Sequence, residues 1–282
     1  MTARGPVLPP VGETAVGVAQ VRAAEADRSD RLFTDLLAAS FVRAAGLNDR
    51  RRDGAVAPGR RPSLVAWITV RTRFLDDLVL DACGSGCRQV VILGAGLDAR
   101  AFRLDWPAKL RLWELDLAQV LEFKQKVVDA DGWRTHCERI AVPVDLSENW
   151  PQALLEAGFD AHARVTWLAE GLLAYLSPEA SDSLVARAGE LSVPESRMGL
   201  TLASPERLQA WRAAHPDGAG RPGDYVALWR STAPELAMEW LAAHGWHAEI
   251  FNAAERSAAY GRPIEEHARQ TSGARLVDAT RC

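Results

Sequence analysis

Between Thr14 and Ala45 apolar residues fall at roughly three- to four-residue spacing, at Val18 and Val21 and then at Leu32, Phe33, Leu36, Leu37, Phe41 and Val42. That spacing predicts helix, because it gathers apolar side chains on one face of a 3.6-residue turn. Residues 1–12 carry proline and glycine without periodicity and are expected to form a loose tail. Residues 48–63 hold Arg50, Arg51 and Arg52 among glycines and prolines and read as a solvated basic loop. A second helical run covers Leu64 to Leu80. The period then changes. Short β-rich runs at 89–93, 110–115, 139–144, 165–169, 197–202, 247–251 and 275–280 alternate with helical ones, including Leu117–Ala130, Pro178–Leu191 and Pro234–His244. That alternation predicts an α/β sheet. The stretch 205–233 interrupts the rhythm with the breaker-rich run from His215 to Gly223, and is expected to form a lid over the C-terminal edge of the sheet. The expected organisation is an N-terminal helical cap over residues 1–85, then an α/β domain over 86–282 that carries the lid as an insertion.

Composition narrows the class without naming a function. With 282 residues, 48% of them hydrophobic, the chain has enough apolar material for one large core and an added layer. A formal net charge of -4 gives no electrostatic reason to expect nucleic acid or an anionic membrane as partner. No apolar run approaches the roughly 20 residues that span a bilayer. Met1 to Pro6 lack the apolar stretch of a secretory signal, so a cytoplasmic location is expected. Of the four cysteines, Cys83 and Cys87 flank the turn Gly84-Ser85-Gly86, and no second ligand cluster accompanies them. No metal site is expected, and the thiols are read as free and reduced. The ten tryptophans are scattered along the chain and read mostly as core packing, with one or two available to line a substrate pocket.

Candidate chemistry begins where the buried run Val90–Leu93 enters Gly94-Ala95-Gly96. Glycines at the C-terminal end of a parallel strand let the backbone close on a ligand. Taken alone, the pattern leaves two cofactors open. Gly94-Ala95-Gly96-Leu97-Asp98-Ala99 also fits the dinucleotide pattern, with Asp116 at about the distance of a ribose contact. Three features favour S-adenosylmethionine (SAM) over a nicotinamide cofactor. Asp98 lies inside the turn, where a carboxylate repels a pyrophosphate but suits a cationic cofactor. The glycine turn follows a long helical segment, whereas many dinucleotide domains begin with it. Acids close successive strands at Asp116, Asp145 and Glu170. The plain structural alternative for each acid is a helix cap or a surface residue.

The run from Gly94 to Leu104, followed by Trp113-Glu114-Leu115-Asp116 and Val120-Leu121-Glu122-Phe123-Lys124, resembles the leucine carboxyl methyltransferase family. It is most similar to the bacterial branch of SAM-dependent O-methyltransferases that includes polyketide-tailoring enzymes. Val11 to Ala15, Arg71 to Asp77, Val144-Asp145-Leu146, Ala169 to Leu176 and Trp240 to Trp246 extend the likeness along nearly the whole chain. The resemblance implies an α/β fold of class I SAM-methyltransferase type: a Rossmann-like sheet of seven strands with the last one antiparallel. It also implies residue roles. Arg71 would hold the methionyl carboxylate in forked geometry. Gly94 and Gly96 would admit the cofactor, Asp116 would bind the ribose hydroxyls, and Asp145 with Leu146 would flank the adenine. Glu170 would close the methionine side. Tyr175 resembles a tyrosine that positions the acceptor, its plain alternative being a packing residue. Ala99, where the family usually has Thr, and Asp35-Leu36, in place of a common Asp-Pro, depart from the pattern.

Methyl transfer from a sulfonium is an in-line displacement governed by orientation and desolvation. A carboxylate acceptor arrives anionic and needs no base, whereas a phenol with a pKa near 10 gains from one. Of the six histidines, only His215, in the expected lid, is placed to be considered, and no base is assigned. The expected function is O-methylation of a carboxylate or hydroxyl on a small-molecule or peptide acceptor, as in natural product biosynthesis. An NAD(P)-dependent oxidoreductase and a non-catalytic SAM-fold partner protein are the alternatives.

Overall fold

A computed structural model of the chain describes residues 10–46, 62–216, 225–264 and 274–282. Residues 48–61 of the basic loop expected over 48–63 and residues 217–224 of the expected lid lie outside the described residues, while Pro62 and Ser63 begin a helix.

Three helices come first: α1 (Pro10–Ala26), α2 (Leu36–Ala44) and α3 (Pro62–Gly84). Strands and helices then alternate as β1 (Gln89–Leu93), α4 (Arg100–Arg103), β2 (Arg111–Asp116), α5 (Ala118–Ala130), β3 (Glu138–Pro143), α6 (Trp150–Glu156), β4 (Val165–Ala169), α7 (Pro178–Glu190) and β5 (Arg197–Leu202). The chain closes with α8 (Pro205–Ala214), α9 (Ala237–Ala243), β6 (Trp246–Asn252), α10 (Ala253–Ala259) and β7 (Arg275–Arg281). Each strand lies within a residue of its expected bounds. The strands form one sheet in the order β3-β2-β1-β4-β5-β7-β6. Pairings β1–β2, β2–β3, β1–β4 and β4–β5 are parallel, and β7 runs antiparallel to both neighbours. The strand order reverses between β1 and β4, which puts the ligand crevice of an open α/β sheet at their C-terminal ends.

Successive side chains of a strand point to opposite faces, and β1 shows both faces buried. Val90 and Ile92 join a core made with Leu37, Phe41, Leu75, Leu78 and Phe123, from α2, α3 and α5. Val91 and Leu93 join a second core with Trp150, Trp167, Leu184 and Leu241, from α6, β4, α7 and α9. The molecule is therefore a three-layer sandwich, and the N-terminal helices belong to the layer on one face of the sheet. Trp113, Trp150, Trp167 and Trp246 are fully buried, as expected of packing tryptophans. Among the described residues, no helix is long and apolar enough to cross a membrane.

Three expectations need correction. α1 starts at Pro10, inside the segment expected to be a tail. The helix expected from Thr14 to Ala45 is two helices, because Asp35 ends the intervening turn by accepting the Ala38 amide at 3.0 Å as the N-cap of α2. The helix expected from Leu64 runs on to Gly84, so Cys83 is a buried helical residue whose thiol burial pushes up to about 12.

Candidate cofactor site

The turn after β1 is built from backbone that only glycine adopts cheaply. Gly94 has φ +64 and Gly96 φ +49. A Cβ on Gly94 would lie 2.8 Å from Leu172 Cδ1, and one on Gly96 would lie 3.3 Å from the Ala15 methyl. Leu172 from the β4 side and Ala15 from α1 thus approach the turn as closely as its backbone allows. The Ala95 amide donates to the Leu115 carbonyl, and the Gly96 amide donates to Asp116 Oδ2 at 2.6 Å. Asp116 Oδ1 takes its second bond from the Leu117 amide at 2.7 Å. Burial pushes the Asp116 carboxyl up, opposed by those two amides. The expected ribose acid therefore sits directly against the expected glycine turn.

At the end of β4, Glu170 meets Arg71 from α3. Arg71 Nε donates to Glu170 Oε1 at 3.0 Å, and Thr72 Oγ1 donates to the same oxygen at 3.3 Å. The Arg71 guanidinium also lies over the Trp67 ring, one helical turn earlier, at 5.9 Å. Burial would raise the Glu170 carboxyl, but Arg100 and then Arg71 outweigh it and hold the group below its ordinary value.

Asp98 does not serve as expected. Its carboxylate is buried and spent inside the protein. Oδ1 takes the Arg100 amide at 2.7 Å, and Oδ2 pairs with Arg100 Nη1. Burial would raise this carboxyl, but Arg100, with Lys124 and Arg22 behind it, holds it at about 2. Asp98 therefore offers no free charge to repel a pyrophosphate or attract a cationic cofactor, since Arg100, two residues away, neutralises it.

Asp145 and Leu146 follow β3 at the same sheet edge. The Val144 amide donates to the Asp116 carbonyl at 2.9 Å, which fixes this segment beside the end of β2. Asp145 is exposed, and its Oδ1 accepts both the amide and the hydroxyl of Ser147 at 2.8 Å; those bonds, amide first, lower its carboxyl. Leu146 is half-buried against the second core. Tyr175 ends a 3₁₀ turn over Leu173–Tyr175. The segment after residue 229 straps this turn. The Arg230 amide donates to the Ala174 carbonyl at 2.7 Å, and Ser231 Oγ donates to the Leu173 carbonyl at 2.9 Å. His215 caps α8, with its ring stacked on Trp211 at 4.8 Å.

Arg100 is the main residue that sequence reasoning missed. Its side chain is 1% exposed, and its charge is shared among Asp76 on α3, Asp98 on the turn and Glu170 after β4. Nothing in the sequence near Arg100 signals this, because two of those partners are remote.

The site also fits the cofactor that the resemblance implies. A glycine turn with left-handed backbone at positions 94 and 96 ends β1 at the switch point of the sheet, an acid closes β2 beside it, and an arginine with its Nε committed faces the end of β4.

The family model for leucine carboxyl methyltransferase matches residues 15–189. A Streptomyces coelicolor protein, provisionally named an S-adenosyl-L-methionine-dependent methyltransferase, is 48% identical over 257 residues, 90% of this chain and 89% of its own. A Frankia alni protein of the same provisional name is 45% identical over 280 residues, 96% of this chain and 95% of its own. Among solved structures, a DUF574 family protein of Streptomyces avermitilis superposes with a TM-score of 0.58 at 13% identity, covering 94% of this chain and 97% of that one. Magnesium protoporphyrin IX methyltransferase from Synechocystis, solved with bound S-adenosylhomocysteine (SAH), superposes with a TM-score of 0.50 at 14% identity, covering 84% and 94%. These structural likenesses establish the class I fold. With its family model spanning more than half the sequence and relatives near half identical over nine-tenths of it, the chain belongs to the leucine carboxyl methyltransferase family of SAM-dependent methyltransferases.

Proposed function

We propose that this protein transfers a methyl group from SAM to an oxygen of a small-molecule or peptide acceptor, and that the acceptor is a carboxylate. One observation carries the choice of carboxylate. The buried acids beside the proposed reaction site are committed to cations: Glu170 to Arg71 and Arg100, Asp98 to Arg100. Asp116, raised by burial and without a cation partner, is held by the Gly96 and Leu117 amides and is assigned here to the ribose, so neither Glu170 nor Asp98 is free to take a proton from a phenol. An acceptor that arrives ionised needs no base.

The bound cofactor supplies an electrophilic methyl on a sulfonium. The chain's residues do the rest by holding and orienting. Arg71 keeps its two terminal nitrogens for the methionyl carboxylate while its Nε rests on Glu170. Asp116 receives the ribose hydroxyls beside Gly96, and Asp145 with Leu146 flanks the adenine. Tyr175 donates its hydroxyl to the acceptor, and Leu172, packed over Gly94, excludes water from the reacting atoms. Alignment of this kind can supply about 7–11 kcal/mol of the barrier reduction for an in-line transfer.

The test is transfer of labelled methyl from SAM to candidate carboxylic and phenolic acceptors, followed by mild alkali. Methyl esters release labelled methanol, and that is the expected result. Alkali-stable label contradicts the carboxylate assignment, and label on nitrogen or carbon contradicts O-methylation.

A further inference from the structure

We infer that Arg100 is a positioning residue: it holds Glu170 in a one-oxygen contact with Arg71 and so keeps the terminal nitrogens of Arg71 open for the cofactor's carboxylate. The inference rests on the cofactor reading of the site given above and adds a residue to it.

Glu170 has two oxygens and several claimants. Oε1 takes Arg71 Nε at 3.0 Å and Thr72 Oγ1 at 3.3 Å, while Oε2 lies 2.8 Å from Arg100 Nη2. A carboxylate facing a single arginine settles into a two-bond, fork-on-fork contact. Released from Arg100, Glu170 would take that contact with Arg71 and occupy the same nitrogens that a ligand carboxylate needs. Binding would then have to displace an internal anion.

Arg100 is itself held from other directions, so it does not follow Glu170. Its Nε donates to Asp76 Oδ1 at 2.8 Å, its Nη1 pairs with Asp98, and its Nη2 reaches the Thr72 carbonyl at 3.3 Å. Asp76 is fixed in turn by Arg103 Nη1 at 2.7 Å and Nη2 at 2.6 Å. The cluster sets Arg71, Arg100 and Arg103 against Asp76, Asp98 and Glu170, a balanced group in which each charge has a partner. It joins α3, the turn after β1 and the end of β4, the elements that frame the site. The Arg71 guanidinium in turn lies against Gly171, where a Cβ would stand 3.0 Å from Nη1.

The test compares two ligands by calorimetry: SAH, which has the amino-acid carboxylate, and 5′-methylthioadenosine, which lacks it. The wild-type chain, Arg100→Lys and Arg71→Met are titrated with each, and thermal melting confirms folding. Arg100→Lys keeps the charge but loses the fork. It is expected to weaken SAH binding roughly tenfold or more and to leave methylthioadenosine binding unchanged. Adding Glu170→Gln to Arg100→Lys is expected to restore part of the SAH affinity. An amide oxygen still accepts Arg71 Nε but competes poorly for the terminal nitrogens. The charge-balanced double variant Arg100→Gln/Glu170→Gln serves if Arg100→Lys does not fold, and it is expected to retain the preference for SAH. Equal weakening of both ligands by Arg100→Lys, or loss of the preference in the charge-balanced double variant, overturns the inference and leaves Arg100 a structural residue. If Arg71→Met keeps the full SAH preference, Arg71 does not hold the carboxylate, and the underlying reading fails together with the inference.

Discussion

The Gly96 amide donates to Asp116 Oδ2 at 2.6 Å, so the turn after β1 and the end of β2 form one unit. Asp116 fixes the turn, and in the proposed function it also presents an acceptor to the ribose. Asp116→Ala removes both. Loss of hydrogen bonds to a charged group costs about 1.5–3 kcal/mol, so SAH affinity is expected to fall roughly tenfold to a hundredfold by calorimetry.

The same residue sets an acid limit on binding. Burial raises the Asp116 carboxyl above its ordinary value of 3.8. As pH falls, Asp116 therefore takes up a proton earlier than an ordinary aspartate, and the ionised acceptor is lost. SAH affinity, measured as a function of pH, is expected to decline on the acid side beginning above 3.8, and the decline is expected to be absent in Asp116→Asn.

Asp98 has the opposite linkage. Its carboxyl is held at about 2 in the folded protein against an ordinary 3.8, so its contribution to stability is complete above 3.8 and disappears as pH falls toward 2. The magnitude is on the order of 2 kcal/mol. Urea unfolding of the wild-type chain is expected to show this loss between those limits. Asp98→Asn is expected to be less stable at neutral pH and to show a shallower acid decline.

Gly94→Ala forces a side chain onto backbone at φ +64 and sets its Cβ 2.8 Å from Leu172 Cδ1. Leu172 can swing away, but the left-handed backbone remains, at about 1–2 kcal/mol. The variant is expected to melt lower and bind SAH more weakly. The double variant Gly94→Ala/Leu172→Ala is expected to recover little of either, because the strain lies in the backbone.

Tyr175, proposed to face the acceptor, lies on a turn strapped by the Arg230 amide and Ser231 hydroxyl. Tyr175→Phe is expected to leave SAH affinity unchanged and to reduce acceptor turnover about tenfold, the worth of one hydrogen bond to an ionised group. A loss of SAH affinity instead would place Tyr175 in the cofactor site.

How much of this was legible in the sequence depended on how local each feature is. The central strands could be read because both their faces are buried, which leaves the apolar run Val90–Leu93 unbroken and Val165–Ala169 interrupted only by the β-branched Thr166. Gly94, Gly96 and Asp116 were legible because the strand-turn pattern and its spacing lie within one β-α-β unit. The break between α1 and α2 was passed over, although the apolar spacing lapses between Val21 and Leu32 and Asp35 caps the start of α2. Asp98 was misread for another reason. Its neutralising partner is close in sequence, but the conformation that pairs them is set by Asp76 and Glu170, 24 and 70 residues from Arg100 along the chain. A charge in sequence is a formal charge, and which charges remain available to a ligand is decided by contacts made across the fold.

The most direct test of the cofactor site is calorimetric titration of the full chain with SAH, set beside Asp116→Ala and Arg71→Met. The expected result is one-to-one binding by the wild-type chain, weakened at least tenfold in each folded variant. Variants that bind SAH as tightly as the wild-type chain would contradict the placement of the cofactor between Gly96, Asp116 and Arg71.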